Sequence, residues 1–196
     1  MTTLLRGALA GVLLSLLAVS TQATTTLQTA LFAGGCFWTM EHGMEVIPGV
    51  TNVVSGYSGG PERNPTYEQV SSETTGHRET VQVTYDPSRI SYAQLVQRYF
   101  RLTDPTQGDG QACDRGPSYR PAIFVTPSQR PVAEAAKAQV AALLRRPIAT
   151  AILPAGTFWP AEAYHQDFAR RNAAHYGAYR VGCGRDARLA ALWAGR

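Results

Sequence analysis

Gly34-Gly35-Cys36-Phe37-Trp38 constrains this chain more than any other stretch, because it joins the apolar run Leu31-Phe32-Ala33 to a helix-compatible segment reaching Glu45. Two glycines let a strand turn sharply into a helix, and the first amides of that helix have no intrahelical partners. Strand, turn and helix must therefore form one unit with the Cys36 thiol at the junction. Helix N-terminal amides favour a thiolate, so the spacing predicts a thiol pKa lowered from about 8.5 toward neutrality and a nucleophilic sulfur. Phe37 and Trp38 would wall that sulfur for a small, neutral, apolar group. A free cysteine among aromatic residues is equally a small buried hydrophobe, and the spacing alone leaves both readings open.

The remainder alternates strand and helix patterns. Strands are expected at Thr29 to Ala33, Val50 to Tyr57, Glu79 to Tyr85, Ala122 to Val125 and, in the core, Ala149 to Leu153; period-two alternation is clearest in Glu79 to Tyr85. The first helix ends before Pro48-Gly49. A second opens on the capping box Ser91-Tyr92-Ala93-Gln94 and carries Leu95, Val96, Tyr99, Phe100 and Leu102 on one face. An alanine-rich helix capped by Thr126 or Ser128 runs toward Leu144, and a further one is expected over Ala161 to Arg171, with Tyr164, His165 and Phe168 near one face. Glu62 to His77 reads as a long ordered loop, Asp104 to Tyr119 as another long loop, and Ala173 to Arg196 as a tail. Interleaved strands and helices without a repeat or linker give one α/β (α+β) domain, a mixed sheet with helices packed on it.

Residues 1–23 have the pattern of a secretory signal: Arg6, an apolar stretch from Ala8 to Val19, then Ser20-Thr21-Gln22-Ala23. The apolar run is shorter than the ~20 residues of a membrane-spanning helix. The expectation is a cleaved leader, a single domain over residues 24–196, and a periplasmic or secreted location. The 18 Lys+Arg against 14 Asp+Glu, almost all the former arginine and scattered, lack the clustered charge of a nucleic-acid binder. Cys36, Cys113 and Cys183 include no Cys-x-x-Cys pair and no nearby histidine at ligand spacing, so the pattern predicts no metal. Three cysteines in an oxidising compartment leave at least one thiol free or cycling.

Gly34-Gly35-Cys36-Phe37-Trp38, Gly56-Tyr57-Ser58-Gly59-Gly60, Asn64-Pro65-Thr66-Tyr67, Thr75-Gly76-His77-Arg78-Glu79, Asp114-Arg115-Gly116 with Tyr119-Arg120, and Phe158-Trp159-Pro160-Ala161-Glu162 with Tyr164-His165-Gln166 follow in an order that resembles peptide methionine sulfoxide reductase A. The similarity spans roughly Leu31 to Arg171. It implies a two-layer fold with a split β-α-β (ferredoxin-like) core, and reduction of the S epimer of methionine sulfoxide, free or in proteins, with repair of oxidised exported proteins.

By that resemblance Cys36 is the nucleophile, Phe37 and Trp38 enclose the substrate methyl group, Glu79 is the proton donor, and Tyr67, Tyr119 and Asp114 complete the polar side. A sulfoxide is a poor electrophile until its oxygen is protonated, so Glu79 can serve only if burial keeps its proton near neutral pH. Cys183 is the expected resolving thiol. Cys113, standing where the family commonly has asparagine, is the alternative, either as resolving thiol or as a structural partner of Cys183. Ser118 and Thr39 also depart from the family pattern. The implied cycle needs no metal or organic cofactor, only an external thioredoxin-like dithiol, and the chain is expected to be a monomer free of nucleic acid and of stable membrane association. A thiol peroxidase or disulfide reductase, and a non-catalytic methionine-binding module, are the rival readings.

Overall fold

The structure is a computed structural model that describes residues 26–196. The expected leader at residues 1–23 lies outside the described residues. In chain order the elements are β1 (Gln28–Ala33), α1 (Phe37–Glu45), β2 (Val50–Ser58), α2 (Tyr67–Ser71), β3 (Arg78–Tyr85) and α3 (Tyr92–Leu102). A small hairpin follows, β4 (Gly110–Gln111) and β5 (Asp114–Arg115), with a 3-10 turn at Pro117–Tyr119. The chain continues through β6 (Ala122–Val125), α4 (Arg130–Leu144), β7 (Ala151–Pro154), β8 (Trp159–Pro160), α5 (Phe168–Arg171), α6 (Ala173–Gly182) and α7 (Arg185–Trp193).

β3 lies between β1 and β2 and runs antiparallel to both, which makes β1 and β2 parallel and α1 their crossover: the split β-α-β unit. The six-stranded order is β7-β6-β1-β3-β2-β8, with β6 and β7 the parallel pair joined through α4. The sheet is therefore mixed, as expected. Successive side chains on each strand face opposite sides. Phe32, Val81, Val83, Ile123 and Val125 join Met40 and Met44 of α1 and Leu95, Tyr99 and Phe100 of α3 in the main core. Leu31, Ala33, Ala122 and Phe124 point the other way, into a smaller cluster under Leu153 and Phe158. Fully burying a side chain such as Phe32 contributes about 1.5–3 kcal/mol, and this layering commits the register of every strand.

Ser91 accepts the Gln94 amide while the Gln94 side chain accepts the Ser91 amide, so the capping box starts α3 as its sequence predicts. The same device at Thr66 and Gln69 starts α2 inside what reads as a loop. Of the two caps proposed for α4, Thr126 orders the preceding turn by accepting the Gln129 amide at 3.3 Å. Three expectations change. β7 is a half-buried edge strand rather than a core strand, because only β6 pairs with it. The tail is helical, as α6 and α7. No helix spans Ala161 to Arg171: Trp159 and Pro160 pair with β2, and only Phe168–Arg171 is helical. The side chain of Gln166 takes over the backbone pairing there, accepting from the Ser55 amide at 2.9 Å and donating to the Ser55 and Ala161 carbonyls at 2.9 Å.

Candidate active site

Strand register brings the nucleophile turn and the carboxylic acid together. Phe32 pairs with Val81, so Glu79, two residues back along β3, comes level with the Gly34-Gly35 turn that follows β1. Both glycines are required. A methyl on Gly34 would stand 2.6 Å from Met40 Sδ, and Gly35 has φ +79° with a methyl position only 2.5 Å from Gln111 Cβ. Cys36 then caps α1, and the Phe37 amide donates to Glu79 Oε2 at 2.8 Å.

Glu79 is 4% exposed. Burial, reinforced by the charges of Asp114 and Glu73 and opposed by the Phe37 amide, pushes its pKa up to about 8, so it holds a proton at neutral pH. Cys36 departs from expectation. It is 6% exposed, and burial first, then the Glu79 and Asp114 charges, raise its pKa; the Tyr179 hydroxyl and the Trp38 amide only partly oppose this. The helix amide closest to the turn is taken by Glu79 instead of by sulfur. The resting group is a protected thiol.

Tyr67, on α2, and Tyr119, at the end of the 3-10 turn, lie on the same side of the site as Glu79 and Cys36; burial, reinforced by the Glu79 and Cys36 charges, raises the pKa of both phenols. Glu162 holds this wall in place by accepting from the Tyr67 amide at 2.8 Å and from the Tyr57 hydroxyl at 2.9 Å. Asp114, on β5, accepts the Tyr179 hydroxyl at 2.6 Å. Its carboxyl is raised by burial, against the pull of the Tyr179 hydrogen bond, of the Arg185 charge and of the Cys36 backbone. Cys36, Glu79, Tyr67, Tyr119 and Asp114 therefore converge on one place. Phe37 turns into the core, its ring 4.9 Å from that of His165. Trp38 stays half-buried, stacked on Phe168 at 3.7 Å, and donates from Nε1 to His165 Nδ1 at 3.1 Å.

Cys113 and Cys183 are joined in a disulfide with Cα atoms 5.0 Å apart, and Cys36 is the free cysteine. Neither candidate resolving thiol is bonded to Cys36; they are partners of each other, the structural pairing among the sequence alternatives. Sequence reasoning did not select Tyr179, whose hydroxyl donates to Asp114 and whose proximity opposes the rise in the Cys36 pKa. Its spacing of one helical turn before Cys183 was the available signal.

A shielded thiol placed against a protonated carboxylic acid, with the other two cysteines joined in a disulfide beside Asp114, defines a thiol oxidoreductase. The family model described as peptide methionine sulfoxide reductase matches residues 28–196. MsrA 2 of Caulobacter vibrioides is 58% identical over 174 residues, covering 88% of this chain and 89% of the relative. MsrA of Listeria monocytogenes is 49% identical over 173 residues, covering 87% and 98%. Among solved structures, methionine sulfoxide reductase A of Corynebacterium diphtheriae is 32% identical with a TM-score of 0.68, covering 80% and 81% of the two chains. Reduced Mxr1 from Saccharomyces cerevisiae is 28% identical with a TM-score of 0.73, covering 81% and 93%. The chain belongs to the peptide methionine sulfoxide reductase family, and it is an oxidoreductase that reduces methionine sulfoxide.

Proposed function

We propose that the chain reduces the S epimer of methionine sulfoxide, free or in proteins, with Cys36 as nucleophile and Glu79 as acid. The observation that carries this is the Phe37 amide bond to a buried Glu79 that keeps its proton beside the sulfur. As Cys36 sulfur attacks the sulfoxide sulfur, Glu79 protonates the sulfoxide oxygen, and Tyr67 and Tyr119 hydroxyls hydrogen-bond to it as charge develops. The proton released by the Cys36 thiol restores Glu79. Sulfoxide plus thiol thus give methionine plus a Cys36 sulfenic acid. Phe37 and Trp38 form the apolar side, where the substrate methyl group sits. Asp114 holds the Tyr179 hydroxyl at 2.6 Å on the polar side of the site.

The sulfenic acid condenses with the Cys183 thiol, or with Cys113, releasing water and forming a disulfide to Cys36. Attack by the remaining thiol transfers the bond to Cys113–Cys183 and frees Cys36. A Cys113–Cys183 disulfide is the bond that exchange would leave, and an external dithiol reduces it back to two thiols. Mxr1, one of the structural neighbours, has also been solved in complex with Trx2, and a thioredoxin-like donor is proposed here for this chain. The chemistry is complete without a metal or organic cofactor.

The leader-like pattern of residues 1–23 supports export to the periplasm or medium, with repair of oxidised exported proteins as the physiological task; N-terminal sequencing of the exported chain checks the cleavage. The expected state is a monomer, checked by light scattering. With dithiol supplied, the mature chain should convert methionine-S-sulfoxide and leave the R epimer untouched. Turnover retained by Cys36→Ser would falsify the assignment.

A further inference from the structure

Arg185, the first residue of α7, is 3% exposed. Its Nη2 donates to the Gly34 carbonyl at 2.9 Å and to the Leu102 carbonyl at 2.7 Å, and lies 3.5 Å from Met40 Sδ. Nη1 and Nε have no hydrogen-bond partner among the described residues. Nη1 lies against the nucleophile turn, 3.2 Å from the position a methyl on Gly35 would occupy. A buried guanidinium with two idle nitrogens is costly unless an anion balances its charge. The acidic side chain of Asp104 is already engaged by Arg188 at 2.7 Å. Tyr179, Cys36, Asp114 and Tyr176 are the acidic groups whose interaction with Arg185 opposes the effect of burial on its charge.

We infer that Arg185 is a positioning residue of the reductase: its buried cation, set behind the Gly34-Gly35 turn, holds the Cys36 sulfur as an anion once the thiol proton has left. This rests on Cys36 being the nucleophile. The groups facing that sulfur are Glu79 from β3, Asp114 from β5, Tyr179 from α6, Tyr67 from α2, Tyr119 from the 3-10 turn, and Arg185. Glu79 is neutral while it keeps its proton, so an ionised sulfur would face the Asp114 carboxylate, and Arg185 is the cation set against that pair. The two glycines thus have a second use, since a side chain at either would displace Met40 or press on the guanidinium. Arg185 also follows Cys183 by two residues, across Gly184 at φ +64°, so the disulfide that fixes Cys183 fixes the cation.

The test is the pH midpoint of Cys36 alkylation by iodoacetamide in the oxidised protein, where Cys113 and Cys183 are already bonded, followed by mass spectrometry of the Cys36 peptide. A looser site changes the plateau rate, whereas loss of the cation moves the midpoint. Arg185→Gln should raise the midpoint by about one unit or more, slowing alkylation at neutral pH about tenfold, and Arg185→Lys should recover most of the shift. The Gly182-Cys183 junction also permits ligation of a synthetic Cys183–Arg196 peptide carrying citrulline at position 185, which removes the charge and keeps the side chain's shape. A folded citrulline or Gln chain with an unmoved midpoint overturns the inference. So does a set in which neither neutral chain folds and Arg185→Lys does, because the charge then serves the fold. Sulfoxide turnover by Cys36→Ser separately decides whether Cys36 is the nucleophile at all.

Discussion

Glu79 and Tyr179 both flank the Cys36 site, but they are held there by different physics. Glu79 arrives through strand register: β1 and β3 are paired in the sheet centre, and layers of Phe32, Val81 and Val83 on one face commit that pairing. Tyr179 and Arg185 arrive on two helices at the end of the chain, fastened by the Cys113–Cys183 disulfide, the Asp114–Tyr179 hydrogen bond and the Arg185 bonds beneath the turn. One half of the site is inseparable from the core. The other is attached at a few points, one of them a bond that thiol exchange can open.

The largest expected effect lies on the sheet side. Glu79→Gln still accepts the Phe37 amide but cannot give a proton, and turnover should fall by about 10²–10⁴-fold with the fold retained. In the native chain, activity should decline as pH rises through about 8, where Glu79 loses its proton. Stability shows the same sign. A carboxyl whose folded pKa is raised favours the fold fully below its unfolded pKa, about 4.3, and that contribution is lost as pH climbs toward the folded value. Glu79→Gln should flatten the dependence of the melting temperature on pH between about 5 and 8.

Next comes the disulfide. Closing a separation of 70 residues is worth about 4 kcal/mol in the chain-entropy account, so Cys113→Ser should lower the denaturant midpoint accordingly. After one turnover without reductant, mass spectrometry should find Cys36 bonded to Cys183 in that variant, and free in the native chain with Cys113–Cys183 formed. A native chain that ends with Cys36 still oxidised would show that the tail does not relay the bond. Tyr179→Phe removes the hydrogen bond to Asp114, and kcat/KM should drop about tenfold. If it drops as far as in Glu79→Gln, the contrast between the two halves is wrong. The smallest effect should come from Thr66→Ala, which breaks the α2 cap that carries Tyr67 and costs about 1 kcal/mol in thermal unfolding.

Legibility followed the same division. The β1-turn-α1 unit, the alternating strand around Glu79 and the Ser91 cap are local patterns, and local patterns survive folding when burial supports them. α2 was legible too, because Thr66-x-x-Gln69 repeats the logic of Ser91-x-x-Gln94, but loop composition outweighed it. The helix expected after Ala161 fails for a reason no window reveals: Glu162 and Gln166 bind backbone and side chains more than 90 residues away in sequence. Arg185 meets Gly34 across 151 residues and leaves no periodic trace. The lowered thiol pKa expected from the helix N-terminus is reversed by burial and by two carboxylates that only the tertiary fold supplies.

Trp38 is one of three tryptophans in the chain, with Trp159 and Trp193. Its indole lies flat on Phe168, bonds to a histidine nitrogen and sits edge-on to Tyr179. A swing of α6 away from the sulfur would strip one wall from that indole and alter its fluorescence. With Trp159 and Trp193 replaced, the light emitted by a single native ring would record each opening of the tail in real time, without any attached dye.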